Sequence, residues 1–497
     1  MPAHEVPTPP RDSRELDRSL LKGVAWTGIA KIIAQVFSWI TSMVVASLLT
    51  PADYGIIGMA MVYVGITSLI TEFGLGSAVV ASHALTARQI AQLNGLSMLL
   101  GVSAVIVSGL AAVPISWFFQ SPGVAPVIVT LSVMVLLDSA RTVPAAVLAK
   151  QMRFKVLAVI ETVKTVLVAS VTVALAAAGW RYWSLAVGVI VGSAVVTAIV
   201  WLRYPVQVRI PRRTELKEAF GHTRHFLVTN LAWYAYSSAD FVVAGRLLGQ
   251  APLGEYTIAW TLANSPAEKA VGVVNRVLPS VYAAASDDFA SLRRYLLRIT
   301  EGAALVIFPA AVGLALVSAD FVAVVLGVQW LGAVTPLRIL AGYAAIHSLS
   351  VLVPPLLLAI GKVRVLSRIV AVCACILPLA FVVGGLRFGS VGIAAVWITV
   401  YPVILWFMYR VAFRAIGLPW RDYARALLPA LTCTAAMAAA VVLFQRSVVF
   451  EHDAWRLAAT IVLGAVVYAA CLQLLFRSRL QSVVTSLMVL RQKSAQA

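Results

Sequence analysis

The chain has 497 residues, 61% of them hydrophobic and only 12% charged. A water-soluble fold of this length has no use for so much apolar surface, so composition excludes an ordinary soluble enzyme. The net charge of +19 invites a nucleic-acid reading, which the placement of the charges removes.

A bilayer-crossing helix needs about 20 consecutive apolar residues. In chain order, the sequence predicts a polar, proline-bearing tail over 1–20, with no apolar core of a cleavable leader. Fourteen spans then follow, at about 24–49, 54–80, 92–116, 124–149, 154–179, 182–202, 226–248, 253–280, 296–318, 334–360, 365–386, 390–412, 424–444 and 456–476. The connecting loops are short, which leaves no room for a soluble domain. The four cysteines (Cys373, Cys375, Cys433 and Cys471) all fall inside apolar spans without metal-ligand spacing and read as small packing residues.

The basic residues sort by side. With fourteen spans, 28 of the 39 Lys and Arg fall in the tails and loops of one side, and only Arg181, Arg387, Arg446 and Arg456 on the other. That bias is the positive-inside rule and puts both termini in the cytoplasm. The excess charge is topology and attraction to anionic lipid, not a nucleic-acid footprint.

Two stretches recur. LLTPADYGIIGMA (Leu48 to Ala60) and LLGQAPLGEYTIAW (Leu247 to Trp260) each join the first and second spans of a half. LAKQMRFKVLAVI (Leu148 to Ile160) and LAIGKVRVLSRIV (Leu358 to Val370) each join the fourth and fifth. The expectation is an all-α polytopic membrane protein: two six-helix bundles in parallel-repeat relation, plus two extra C-terminal helices. The divisions are a cytoplasmic tail 1–20, an N-lobe 21–208, a cytoplasmic linker 209–222, a C-lobe 223–418, two further spans in 419–480, and a cytoplasmic tail 481–497. The repeated turn itself reads as structural: Gly249 and Gly254 loosen the backbone, and Pro51 or Pro252 opens the next helix.

Twelve of the charges inside the spans stand out. The bases are Lys31, Arg141, Lys164, Arg246, Lys269, Arg276 and Arg338; the acids are Glu72, Asp138, Glu161, Asp240 and Glu268. A charge facing lipid costs about 2.5–3.5 kcal/mol even on the mildest scale, so these groups line a polar interior or pair. Lys31, Glu72, Asp138, Arg141, Glu161 and Lys164 fall in one layer about 10–16 Å from the cytoplasmic side. Asp138/Arg141 and Glu161/Lys164 are three residues apart and suit on-helix pairs; Lys31 suits Glu72. Arg246 and Arg338 lie near outer span ends, where snorkelling is the alternative to a cavity role. Lys269 and Arg276 have only Glu268 close in sequence, which makes them the better anion ligands. Trp233, Tyr234 and Tyr236 before Asp240 read as packing or as a sugar-stacking face. His347 reads as a core residue. No catalytic group, nucleotide loop or metal motif stands out.

The segments ADFVVAGRLLG, LGEYTIAWTLANSP and VNRVLPSVY, preceded by LLKGVAWTGIAKIIAQ, LLTPADYGIIGMA and FGLGSAVV and followed by FVAVVLGVQWLGAVTPLRILAGY, resemble the Wzx-like lipid-linked oligosaccharide flippases. These form the polysaccharide-transporter branch of the multidrug/oligosaccharidyl-lipid/polysaccharide superfamily. The resemblance covers about residues 20–420. It implies two helical bundles around a central cavity, and alternating access that moves an undecaprenyl-diphosphate-linked glycan to the outer leaflet of the bacterial inner membrane. Asp240, Arg246, Gly254, Tyr256, Arg276 and Arg338 match positions typical of the family; Ser238 stands where an asparagine is frequent.

On that basis Lys31, Lys269 and Arg276 are the candidate diphosphate ligands, since guanidinium and ammonium groups bind phosphate oxygens strongly out of water. Arg141, Lys164, Arg246 and Arg338 are candidate cavity charges. Glu72 and Asp240 either carry a coupling H+ or Na+ or neutralise the cavity. The expected partners are the lipid-linked glycan, membrane lipids, and polysaccharide polymerase and export machinery; no cofactor and no nucleic acid are called for. A multidrug exporter and a membrane glycan polymerase or ligase are the competing readings.

Overall fold

The computed structural model describes residues 37–72, 74–81, 85–212, 223–275, 278–448 and 452–493, and of 81, 223–229, 266–271, 273–275 and 477–493 the backbone alone. The protein is all-helical over the described residues. Ten helices are long and apolar enough to cross a membrane, by length and composition alone. That is fewer than the fourteen spans expected, and the difference has physical sources. The first span is described only from Phe37 to Leu48 (α1). The 54-residue helix Val363–Ile416 would be about 80 Å long if straight, far beyond a ~30 Å hydrocarbon layer. It breaks at Gly389, whose φ of 60° and ψ of −142° only glycine adopts easily. The seventh expected span is two pieces, Thr223–Ser237 and Ala239–Leu248, with Ser238 between them.

The first half consists of α1, α2 (Pro51–Glu72), α3 (Leu75–Ala81), α4 (Ala87–Phe119), α5 (Val124–Lys150), α6 (Phe154–Ala177) and α7 (Tyr182–Arg203). Helix α4 starts on a capping box: Thr86 Oγ1 accepts from Gln89 N, and Gln89 Oε1 accepts from Thr86 N. Within this half α4 packs on α5, and α6 on α7. The second half holds α8 (Thr223–Ser237), α9 (Ala239–Leu248), α10 (Gln250–Asn275), α11 (Leu278–Ala284), α12 (Phe289–Phe321), α13 (Val334–Ser350), α14 (Val353–Ala359) and α15 (Val363–Ile416). A short π turn and a 3-10 turn (Val328–Ala333) join α12 to α13.

Helices α16 (Trp420–Ser447) and α17 (Asp453–Lys493) pack on α12 and on each other. Arg456 on α17 grips the Asp320 carboxylate at the end of α12, with its Nε 3.0 Å from Oδ2. The stretch 481–493, expected as a tail, continues helix α17 past a break at Phe476.

The faces away from these contacts are apolar and uncovered, as lipid-facing helices require: Leu110 on α4 and Leu386 on α15 are about 70% exposed or more. His347 is a packed core residue, its Nδ1 3.2 Å from Tyr343 Oη and its ring stacked on that tyrosine.

Candidate functional site

The halves meet where the two repeated turns face each other. Helix α2 begins on Thr50 and Pro51. Thr50 N and Oγ1 donate to Asp53 Oδ2 at 3.0 and 2.7 Å, and Asp53 Oδ1 lies 3.2 Å from Arg181 Nε. With its first turn fixed this way, α2 presents Gly55 to the carbonyl of Gln250, the first residue of α10. Helix α10 presents Gly254 to the carbonyl of Pro51, the first residue of α2. At either glycine an added Cβ would overlap the opposing carbonyl oxygen. The contact is reciprocal, as a two-fold relation between the repeats requires.

Around it the same end is closed by polar and aromatic contacts between the halves. Gln250 Nε2 donates to Ser121 Oγ at 2.8 Å. Trp330, wholly buried, donates Nε1 to Ala46 O at 2.9 Å and meets Tyr54 edge-on at 5.3 Å. Deeper along α2, Gly58 faces Leu253 and Thr257, and Gly65 faces Tyr234, whose hydroxyl donates to Val62 O at 3.1 Å. Trp39 Nε1 donates to Ser265 Oγ at 3.1 Å.

Residues seven apart share one helix stripe. Glu72 therefore continues the inter-half stripe of Gly58 and Gly65, and it is exposed. It lies within electrostatic reach of Asp138 and Arg141. Arg141 forks between two helices, with Nη1 2.8 Å from Glu161 and Nη2 3.1 Å from Asp138. Lys164 Nζ is 3.2 Å from Asp138 Oδ1.

Four members of the expected charge layer thus form one connected network over α5 and α6, with Glu72 of α2 within electrostatic reach of it. The Asp138/Arg141 pair is the on-helix pair anticipated. Glu161 and Lys164 do not pair with each other; each crosses to α5, Glu161 to Arg141 and Lys164 to Asp138. Lys31, the sixth member of the layer, lies outside the described residues.

Asp240, the other candidate for ion coupling, lies apart from this network. It is fully buried in the second half. Its Oδ2 accepts from Tyr256 Oη at 2.7 Å and Trp397 Nε1 at 3.0 Å, and its Oδ1 accepts from Phe241 N at 2.9 Å. Trp260, Tyr343, Phe381 and Tyr401 wall in Trp397 with ring centroids 4.7–5.4 Å from it. A buried carboxylate with three donors is satisfied where it stands. Of the aromatic trio singled out in sequence, Tyr234 serves the contact between halves, and Tyr236 packs partly buried on the core.

Arg246 is exposed, 5.8 Å over the Phe118 ring. Arg338 is exposed as well, and its Nε donates to Ser318 Oγ at 2.9 Å. Neither belongs to the charge network. Arg276 lies outside the described residues, as do the side chains of Lys269 and Glu268.

Sequence reasoning missed the partners of Asp240, above all Trp397, 157 residues away. It also read the repeated turn as architecture alone. The signal was present: Gly55 and Gly254 each stand four residues after the residue that opens their helix.

Two helical halves closing on each other through equivalent turns, each with polar groups inside an apolar exterior, define a multi-pass membrane protein of transporter architecture. The chain belongs to the polysaccharide biosynthesis protein family, whose model matches residues 44–335. It is 24% identical over 420 residues to the lipopolysaccharide biosynthesis protein WzxC of Escherichia coli K12, covering 82% of this chain and 84% of that one. It is 23% identical to the succinoglycan biosynthesis transport protein ExoT of Rhizobium meliloti, covering 81% and 82%. Among solved structures, the lipid II flippase MurJ in an inward closed conformation superposes with a TM-score of 0.76 over 91% of this chain and 99% of that chain, at 13% identity. An inward-facing MATE transporter of the MOP superfamily reaches 0.58 over 81% and 95%, at 15% identity. These two likenesses are of fold.

Proposed function

We propose that this chain is a flippase. It carries an undecaprenyl-diphosphate-linked oligosaccharide from the cytoplasmic to the outer leaflet of a bacterial inner membrane by alternating access, for exopolysaccharide or O-antigen synthesis. The observation that carries the reading is the reciprocal seal at Gly55 and Gly254, set at one end of two halves, the first of which also holds a charged network across α5 and α6. A transporter needs such a contact to close one side while cargo enters from the other. The names of the relatives support the cargo class: WzxC and ExoT belong to polysaccharide pathways, and a further relative from Haloferax volcanii, 22% identical over 41% of this chain, is described as a probable glycan biosynthesis flippase.

On this reading the positive-inside bias puts both termini in the cytoplasm and the seal on the outer side. Residues 21–208 and 223–418 act as the two lobes, linked by 209–222, and 419–480 adds two helices. Lys31, Lys269 and Arg276 hold the diphosphate. Arg141 and Lys164, already paired with carboxylates, set the polarity of the cavity wall. Glu72 and Asp240 are the groups through which a proton or sodium gradient acts. Polysaccharide polymerase and export proteins take the product.

Deletion of the gene, with extraction of lipid-linked glycans and a leaflet-accessibility assay, tests this. Finished repeat units trapped on the cytoplasmic leaflet, with surface glycan lost, support export. Finished units on the outer leaflet point to a polymerase or ligase, and unchanged glycan with altered drug resistance to a multidrug exporter.

A further inference from the structure

The segment that leaves the first half is fastened down before it crosses to the second. Past α7 the backbone runs from Pro205 to Arg212 without regular structure. Asn94, fully buried in α4, donates its Nδ2 to the carbonyls of Val206 at 3.1 Å and Gln207 at 3.3 Å. Arg209 N donates to Ala91 O at 3.0 Å. Gly95 leaves no space for a side chain beneath the Arg209 carbonyl. Val206 packs on the small core of Leu75, Val79, Leu93 and Val143. These contacts lay an extended strap antiparallel along the first turns of α4, at the opposite end of that helix from Ser121 and the seal.

The strap and the end of α7 leading into it turn two kinds of side chain outward. Ile210 is 84% exposed, Leu202 81% and Val208 47%. Arg203, Arg209 and Arg212 are exposed beside them. Beside the strap, the turn from α5 to α6 exposes Met152 and Phe154 together with Arg153 and Lys155. Arg153 stands 5.5 Å from the ring of Tyr204, which ties turn to strap. Neither 150–155 nor 201–212 contains an acidic residue.

Water alone disfavours so many uncovered apolar side chains, and hydrocarbon disfavours both the guanidinium groups and a backbone without helical hydrogen bonds. The depth that satisfies all of them is the headgroup boundary, where apolar side chains reach acyl chains and cationic ones reach phosphate.

We propose that the strap Pro205–Arg212, with the end of α7 and the α5–α6 turn, is a docking surface for anionic phospholipid headgroups. It anchors the first half to one leaflet through the connector itself, so that the second half moves against a fixed reference. The proposal goes beyond the flippase reading and does not depend on the cargo. Attraction to an anionic surface amounts to roughly a fivefold gain in affinity per arginine.

The test uses the full-length chain with its four cysteines replaced by alanine and an environment-sensitive fluorophore on Ile210→Cys. The protein is reconstituted in phosphatidylcholine vesicles with and without phosphatidylglycerol. The expected result is a blue shift of the emission when phosphatidylglycerol is included. Arg203→Gln/Arg209→Gln/Arg212→Gln should raise the phosphatidylglycerol content needed for half of that shift, and high salt should suppress it. Identical emission in both lipids overturns the proposal, as does a shift that persists unchanged in the triple variant.

Discussion

Gly55 and Gly254 occupy equivalent places in the two halves, and each presses its bare Cα against the carbonyl that opens the other's helix. Alanine suits a helix better than glycine by up to about 1 kcal/mol, so Gly55→Ala and Gly254→Ala leave the helices intact. The added methyl instead acts on the contact between halves. Overpacking of this kind costs about 1–3 kcal/mol, roughly a five- to hundred-fold shift away from the sealed state. Thiol-labelling at Ser121→Cys in a cysteine-free background should rise accordingly, with helical content unchanged. The double variant should be less than additive, because either methyl alone opens the same contact.

Arg141 bridges Glu161 on α6 and Asp138 on its own helix, with only 15% of its side chain exposed. Removing it leaves two acids without that partner. Arg141→Ala is expected to lower stability in detergent by about 1–3 kcal/mol, less than for a fully buried pair because Glu161 is largely exposed. Arg141→Lys should recover less than half of the loss, since one ammonium cannot reproduce the fork between two helices. A thermal-melt double-mutant cycle of Arg141→Ala with Glu161→Gln measures the coupling.

Asp240 accepts three hydrogen bonds, and its Oδ2 takes both Tyr256 and Trp397. In Asp240→Asn one side-chain terminus becomes a donor facing donors, so about 1–3 kcal/mol of stability should be lost. If Asp240 carries the coupling ion, the gradient dependence of transport also disappears. If it only organises the second half, Asp240→Asn and Trp397→Phe lower the melting temperature and leave that dependence in place.

Lys269→Ala and Arg276→Ala should each weaken cargo binding by roughly ten- to a hundred-fold, the effect of losing a charge-assisted hydrogen bond to phosphate. Binding of a short undecaprenyl-diphosphate glycan to purified protein reads this directly. Unchanged affinity in both variants removes them from the anion site.

Much of the fold was legible in the sequence because lipid imposes length and composition on every span. The duplication was legible because both halves keep the same turn. The register between halves was not. Nothing local in LLTPADYG or GQAPLG says that each glycine meets the other's helix start, since that follows from how two bundles pack. The charge layer could be placed by depth along each helix, but its pairing could not: Lys164 reaches Asp138 because α5 and α6 lie side by side, which sequence spacing does not encode. The partners of Asp240 were hidden for a related reason. An acid in an apolar run signals a polar site, and here the polar site is three donors from α9, α10 and the distant Trp397, closed off by aromatic rings.

The most direct test of the account locks the seal. Cysteines at Ser121 and Gln250, in a chain otherwise free of cysteine, are joined by a short reducible bridging reagent, and flipping of a lipid-linked glycan is followed in proteoliposomes. Transport should stop when the bridge forms and return when it is reduced. Transport at the unbridged rate with the bridge intact would contradict it, because cargo would then cross without the contact between Gly55 and Gly254 ever opening.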